Sequence, residues 1–216
     1  MHGVVIVSNA MEAAAAPTTP QSVSRDDRDD VVILRDTPWA LYEAILAARG
    51  EKRVPRLQYA SGRLELMSPG RSHERIHTLF GRLVEAYADE SDIPLDGYGS
   101  WTLKDETVAR GVEADECYIV SDPEADRPDL AIEVIWTSGG LDKLDLYAPL
   151  RVREVWFWEE GRISVHVLRG EAYVDAPRSE VLPGIDLALL ARFVTRTDQS
   201  AAVREYRAAV RAAQGR

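Results

Sequence analysis

Cysteine is almost absent, with Cys117 alone among 216 residues. One cysteine excludes an internal disulfide and a cysteine-based zinc site, and it fits a reducing compartment such as the cytoplasm. Long hydrophobic runs are missing as well. No stretch approaches the roughly 20 apolar residues that a membrane span needs. The mildly apolar start, MHGVVIVSNAMEAAAAP, lacks the basic region of a secretory signal. Positive charge is scarce: 26 Lys and Arg stand against 36 Asp and Glu, a net charge of −10. That balance argues against a protein that coats nucleic acid indiscriminately, which needs a basic surface. A nuclease stays open, because acidic metal ligands add negative charge that bound cations offset, and a local basic groove can sit on an acidic protein.

What is present is an ordinary globular composition, 45% hydrophobic and 29% charged, in a chain long enough for one domain with tails. Residues 1–30 are rich in Ala, Pro, Thr, Ser and Asp without periodicity and are expected to form a disordered leader. A domain over 31–195 and a C-terminal helix or tail over 196–216 follow. Thr37-Pro38 reads as an N-cap with proline in the first helical position, opening a helix from Trp39 to about Ala48. Arg56–Ala60 and Leu64–Met67 read as a hairpin around Ser61-Gly62. From Ser72 to Glu90 the apolar residues Ile76, Leu79, Phe80, Leu83, Val84 and Tyr87 recur every three or four positions, the pattern of an amphipathic helix. Strands are expected over Tyr98–Leu103, Glu116–Val120 and Leu130–Trp136. A short helix follows over Ser138–Ala148, then a hairpin of Glu154–Trp158 with Ile163–Leu168, a strand over Ala172–Val174, and helices over 187–194 and 198–213. The order predicts a mixed α/β fold with one central sheet.

Chemistry concentrates between Gly111 and Tyr147. Glu133 interrupts the apolar run Leu130-Ala131-Ile132-Glu133-Val134-Ile135. In a strand, Ile132 and Val134 face one side and Glu133 the other. A carboxylate in an otherwise buried strand is costly unless it is paired or bound to metal; the plainer alternative is a strand-end glutamate on a solvated face. Asp115 lies 18 residues earlier, at the start of another strand, and adjacent strands would bring the two carboxylates together. Paired carboxylates with water are the hard oxygen set that Mg²⁺ prefers. Glu113 and Glu116 are alternative ligands, or simply a loop edge. Lys143 follows Glu133 by ten residues, where it would orient a water or neutralise developing charge, unless it is an ordinary solvated lysine paired with Asp142 or Asp145.

Two further features compete. His73-Glu74-Arg75-Ile76-His77 spells the HExxH pattern of zinc hydrolases. It falls in the first turn of its helix, however, and the only later histidine, His166, belongs to a strand. Trp156-Phe157-Trp158 reads as core packing, with base stacking as the functional alternative.

LELMSP at 64–69, the following HE at 73–74, GVEADECYIV at 111–120, PDLAIEV at 128–134 and LDKLDLYAPLRVREVW at 141–156 together resemble the Uma-two family of restriction-endonuclease-like proteins, within the PD-(D/E)XK nuclease superfamily. The resemblance implies an α/β restriction-endonuclease-like core, a central mixed β-sheet flanked by helices. It also implies Asp115 and Glu133 as ligands to Mg²⁺ or Mn²⁺, Lys143 as a lysine moved from the strand to the helix, and Glu74 as an extra acidic residue. This sequence carries Ile135 where E-x-K would place the lysine, and Ala114 where the family commonly has proline. Pro128-Asp129 is a decoy on the same strand as Glu133. The expected function is Mg²⁺-dependent cleavage of DNA, with a homodimer left open. The rival expectation is a catalytically weak or inactive binding or regulatory module, suggested by the missing lysine at 135.

Overall fold

The structure is a computed structural model that describes residues 28–120, 122–135 and 141–216. Two sheets meet in it. The first has five antiparallel strands: β1 (Asp30–Leu34), β2 (Arg56–Ala60), β3 (Arg63–Ser68), β5 (Thr102–Asp105) and β6 (Arg110–Glu113), in the order β1-β3-β2-β6-β5. The second has six strands: β4 (Asp96–Gly97), β7 (Glu116–Ile119), β8 (Leu130–Val134), β9 (Glu154–Glu159), β10 (Arg162–Arg169) and β11 (Ala172–Ala176), in the order β11-β10-β9-β8-β7-β4. It is mixed, because β8 and β9 run parallel while its other pairs are antiparallel. The helices are α1 (Trp39–Arg49), α2 (Arg71–Glu90), α3 (Lys143–Tyr147), α4 (Leu187–Val194) and α5 (Gln199–Ala213). This is the α/β restriction-endonuclease-like arrangement that the sequence predicts, with a second sheet added to the expected central one.

Both hairpins form where predicted, for a local reason. Ser61-Gly62 and Glu160-Gly161 all take positive φ, as two-residue turns matching the strand twist require. The registers Ala60↔Arg63 and Glu159↔Arg162 close directly around them.

The apolar stripe of α2 packs onto one face of the six-stranded sheet. Leu79, Phe80 and Leu83 meet Tyr118, Ile132, Val134 and Trp156, and Leu190 of α4 and Tyr206 of α5 complete this core. The opposite face, Cys117, Ala131 and Val155, packs against Leu146 and Tyr147 of α3 and Val112 of the other sheet. Glu133 shares that second face, as the alternation predicts. Trp156 and Trp158 are buried in the first core, which settles that aromatic strand as packing.

Several expectations are corrected. Of the single strand expected over Tyr98–Leu103 only the end forms, because the chain leaves one sheet for the other there: β4, just ahead of that span, pairs with β7, β5 pairs with β6, and Gly99 between them takes φ 59°. The same transfer in reverse occurs at Ala114-Asp115, between β6 and β7. Pro38 is itself the N-cap of α1, and Gly70, ahead of Ser72, caps α2. Gly70 is sterically required, since a Cβ there would lie 2.8 Å from the Arg28 backbone. The expected leader lies outside the described residues up to position 27, but Arg28, Asp29 and Asp30 are part of the fold: Asp29 Oδ1 accepts the Gly70 N–H at 2.8 Å and Asp30 opens β1. Trp136 and the Ser138 start of the expected helix lie outside the described residues. The helix itself begins at Lys143, where Asp142 caps it by accepting the Leu144 N–H. No described helix is long and apolar enough to cross a membrane.

Candidate active site

Asp115 stands at the point where the chain changes sheets, just before β7. The register Glu116↔Ile132, carried one step further, sets Asp115 opposite Glu133. Facing residues of antiparallel strands hold their Cβ atoms about 5 Å apart on one side of the sheet. Asp115 is 2% exposed. Its Oδ2 accepts the Val134 N–H at 2.7 Å, so the carboxylate stands in for a backbone acceptor and ties itself to the Glu133 strand. Its Oδ1 lies 3.1 Å from His73 Nε2 and is ion-paired with Arg56.

Glu133, 1% exposed, is held from α3. Lys143 Nζ lies 2.9 Å from Oε2, and the Tyr147 hydroxyl donates to Oε1. Lys143 and Tyr147 are four residues apart and share a helix face, so one turn of helix supplies both donors. Burial and the adjacent Glu133 charge push the Tyr147 phenol well above its ordinary pKa, which keeps it a hydrogen donor. Lys143 thus reaches the glutamate from the helix although Ile135 occupies the E-x-K position.

Glu74 is less central than the resemblance implies. Its side chain is 45% exposed. It binds Arg56 at 3.1 Å and His77 at 2.9 Å, and reaches Asp115 only through Arg56. A cavity of about 150 Å³ joins Arg56, Glu74, His77, Asp115 and Glu116; Glu133 and Lys143 do not line it.

The remaining acids separate by their contacts. Glu113 accepts from Arg49, from the Leu57 N–H at 2.7 Å and from the Thr102 hydroxyl at 2.6 Å, a fully committed structural carboxylate. Glu116 meets His77 Nδ1 at 3.2 Å. Asp129 accepts the Val120 N–H at 2.8 Å and serves the backbone, as a decoy should.

The HExxH pair does not form a zinc site. Both ring nitrogens of His73 lie on carboxylates, Asp29 at 3.0 Å and Asp115 at 3.1 Å, and both of His77 on Glu74 and Glu116. No nitrogen of either ring is left for a metal. Burial alone would lower the His77 pKa, but hydrogen bonds to Glu116 and Glu74 outweigh it and leave it raised above 6.5. A raised folded-state pKa contributes stability in full below the ordinary value and loses it as pH climbs through the folded one. His77→Gln is therefore expected to be less stable than the wild type near about pH 5.5 and to approach it towards about pH 9. Urea denaturation at both pH values in EDTA measures this; a stability gap that widens with pH would refute it.

Sequence reasoning missed Arg56, His73 and Asp29 as partners of the Asp115 carboxylate. Tyr147 carries no role in the sequence reading. Only the Tyr147 spacing, four residues after Lys143, offered a signal.

A hard divalent cation fits the donor chemistry. Asp115 and Glu133 present oxygen ligands on one face, and such ions accept one or two carboxylates with water completing the shell. No group of three or more His, Cys, Asp or Glu able to hold a metal is found among the described residues. A bound ion would have to displace Arg56 from Asp115 and compete with Lys143 for Glu133. Burial pushes the Cys117 thiol up to about 12, so it rests protonated as part of the core.

No curated protein matches the chain. The family model described as "Uma2: Putative restriction endonuclease" matches residues 39–195. That span runs from the start of α1 to just past α4 and takes in Glu74, Asp115, Glu133 and Lys143. The chain belongs to the Uma2 family of putative restriction endonucleases.

Proposed function

We propose that the protein is an endonuclease that hydrolyses DNA phosphodiester bonds and depends on Mg²⁺ or Mn²⁺ held by Asp115 and Glu133. One observation carries the proposal. Two buried carboxylates stand at the crossing between sheets, Asp115 one step beyond the Glu116↔Ile132 pair that would set it opposite Glu133, with the Lys143 ammonium 2.9 Å from Glu133. A bound divalent cation would stabilise the charge that develops on the scissile phosphate. The chain's own residues prepare the rest. The Val134 N–H and His73 fix the Asp115 rotamer, and Tyr147 fixes Glu133. Lys143 would place its ammonium beside the attacking water and the phosphate, and Arg56 would be the counter-charge that Asp115 gives up to a metal.

The test is cleavage of supercoiled plasmid with Mg²⁺ or Mn²⁺. Asp115→Asn keeps an acceptor for Val134 but removes the charge, and is expected to be inactive. Lys143→Met is expected to lower kcat by about 10²–10³, the effect of losing one electrostatic donor. Wild-type rates in both variants would end the proposal. A second reading, an inactive binding module, is favoured by the Arg56–Asp115 and Lys143–Glu133 pairs, which already neutralise both carboxylates. Calorimetry showing no Mn²⁺ binding at millimolar concentration would select it.

A further inference from the structure

Tyr98 is the only aromatic among the large hydrophobic side chains exposed in the described residues, at 46%. It is nevertheless firmly held. Its ring stacks on Trp101 with centroids 5.0 Å apart and planes 30° from parallel, and its hydroxyl donates to the Pro123 carbonyl at 3.3 Å. Trp101 in turn packs against the core beneath α3. The Tyr98 N–H donates to the Cys117 carbonyl at 3.0 Å, extending the β4–β7 ladder by one residue. Strand spacing then puts the Tyr98 Cα about 8 Å from that of Asp115.

The residues that follow Tyr98, Gly99 and Ser100, line the same cavity as Asp115 and Arg56. Two more residues of its rim are Val54, 47% exposed, and Arg53, which has no ion-pair partner among the described residues. A held aromatic ring therefore adjoins the residues that line the cavity on the Asp115 side of the candidate site, whose rim also carries an apolar lip and an arginine without an ion-pair partner among the described residues. A stacking surface of this kind binds any nucleobase by its π-face, while cations track the phosphates. Bases inside a duplex are already stacked and cannot reach it.

We propose that Tyr98, backed by Trp101, is the stacking site for an unpaired nucleobase next to the scissile phosphate, so that the preferred substrate is single-stranded or locally unpaired nucleic acid. The proposal rests on the nuclease reading for its choice of ligand, but its test does not use catalysis. The full-length protein in EDTA is titrated with a short single strand carrying 2-aminopurine, whose fluorescence falls on stacking, and with a blunt duplex of the same sequence. The wild type is expected to quench the single strand and to bind it more tightly than the duplex. Tyr98→Leu is expected to lose the quenching and about tenfold in affinity, with thermal melting confirming that it folds. Tyr98→Phe, which gives up only the Pro123 contact, is expected to bind as the wild type does. Equal binding and quenching by the leucine variant, or no wild-type preference for the single strand, would overturn the proposal. An absence of plasmid cleavage would count against the nuclease reading and leave the stacking result standing.

Discussion

Alanine at Glu133 is expected to abolish Mg²⁺-dependent cleavage of plasmid DNA and to lower the free energy of unfolding by about 3–5 kcal/mol. Both effects follow from the same contacts. The carboxylate is 1% exposed and accepts from a lysine and a buried phenol. Its removal leaves the Lys143 ammonium, itself 15% exposed, without a counter-charge, and the Tyr147 hydroxyl without an acceptor. Breaking a buried pair from one side costs more than the pair contributes, because the abandoned charge stays desolvated. Glu133→Gln separates fold from chemistry. The amide oxygen still accepts from Tyr147, so most of the packing is kept, while the anionic ligand is gone. It is expected to recover much of the stability and none of the cleavage. Urea denaturation and a plasmid assay on the same preparations measure the two effects, and a fully active glutamine variant would remove Glu133 from the chemistry.

The second large effect falls two residues from the site and leaves chemistry alone. Glu113→Ala is expected to destabilise the fold by about 3–5 kcal/mol while cleavage per folded molecule stays unchanged. Glu113 gathers donors from three elements: Arg49 of α1, the Leu57 N–H of β2 and Thr102 of β5. Its loss strands a guanidinium that is only 9% exposed and a buried backbone N–H. It also detaches α1 from the five-stranded sheet, where Tyr42 packs on Leu57 and Tyr59. Unfolding free energies from urea titration, with activity assayed at low temperature where the variant is folded, check both halves. Lost activity in a fully folded variant would mean that Glu113 belongs to the site.

Sequence and structure agree wherever the deciding interaction is local. The hairpins at Ser61-Gly62 and Glu160-Gly161 are legible because glycine and positive φ are written into the turn. Helix α2 is legible because its buried stripe repeats at helical spacing. The two-sheet division is not legible. It depends on where the chain crosses over at Gly99 and Asp115, and short strands such as β6 carry too few residues to show a pattern. The same limit governs the site. Acid spacing and a family resemblance point to Asp115, Glu133 and Lys143 as the candidate site, and Lys143 does contact Glu133. Arg56, His73 and Asp29 could not be found that way, since a buried arginine and an exposed one look alike in a sequence. Glu154 makes the point outside the site. It opens the predicted strand Glu154–Trp158 with no role assigned, yet it is fully buried and accepts from Trp156, Ser179 and the backbone N–H groups of Glu180 and Val181.

The grip of Asp29 on Gly70 and His73 bears on how the protein should be handled. The family match begins at residue 39 and stops at residue 195, and trimming an expression fragment to those limits looks economical. Such a fragment would discard the acid that holds the first turn of α2 and the imidazole against Asp115. It would also discard α5, whose Tyr206 and Val210 are buried in the α2 core. An inactive or insoluble trimmed protein would then report the cut and not the intact chain. Fragments meant to test catalysis should keep the chain from before Arg28 through Ala213.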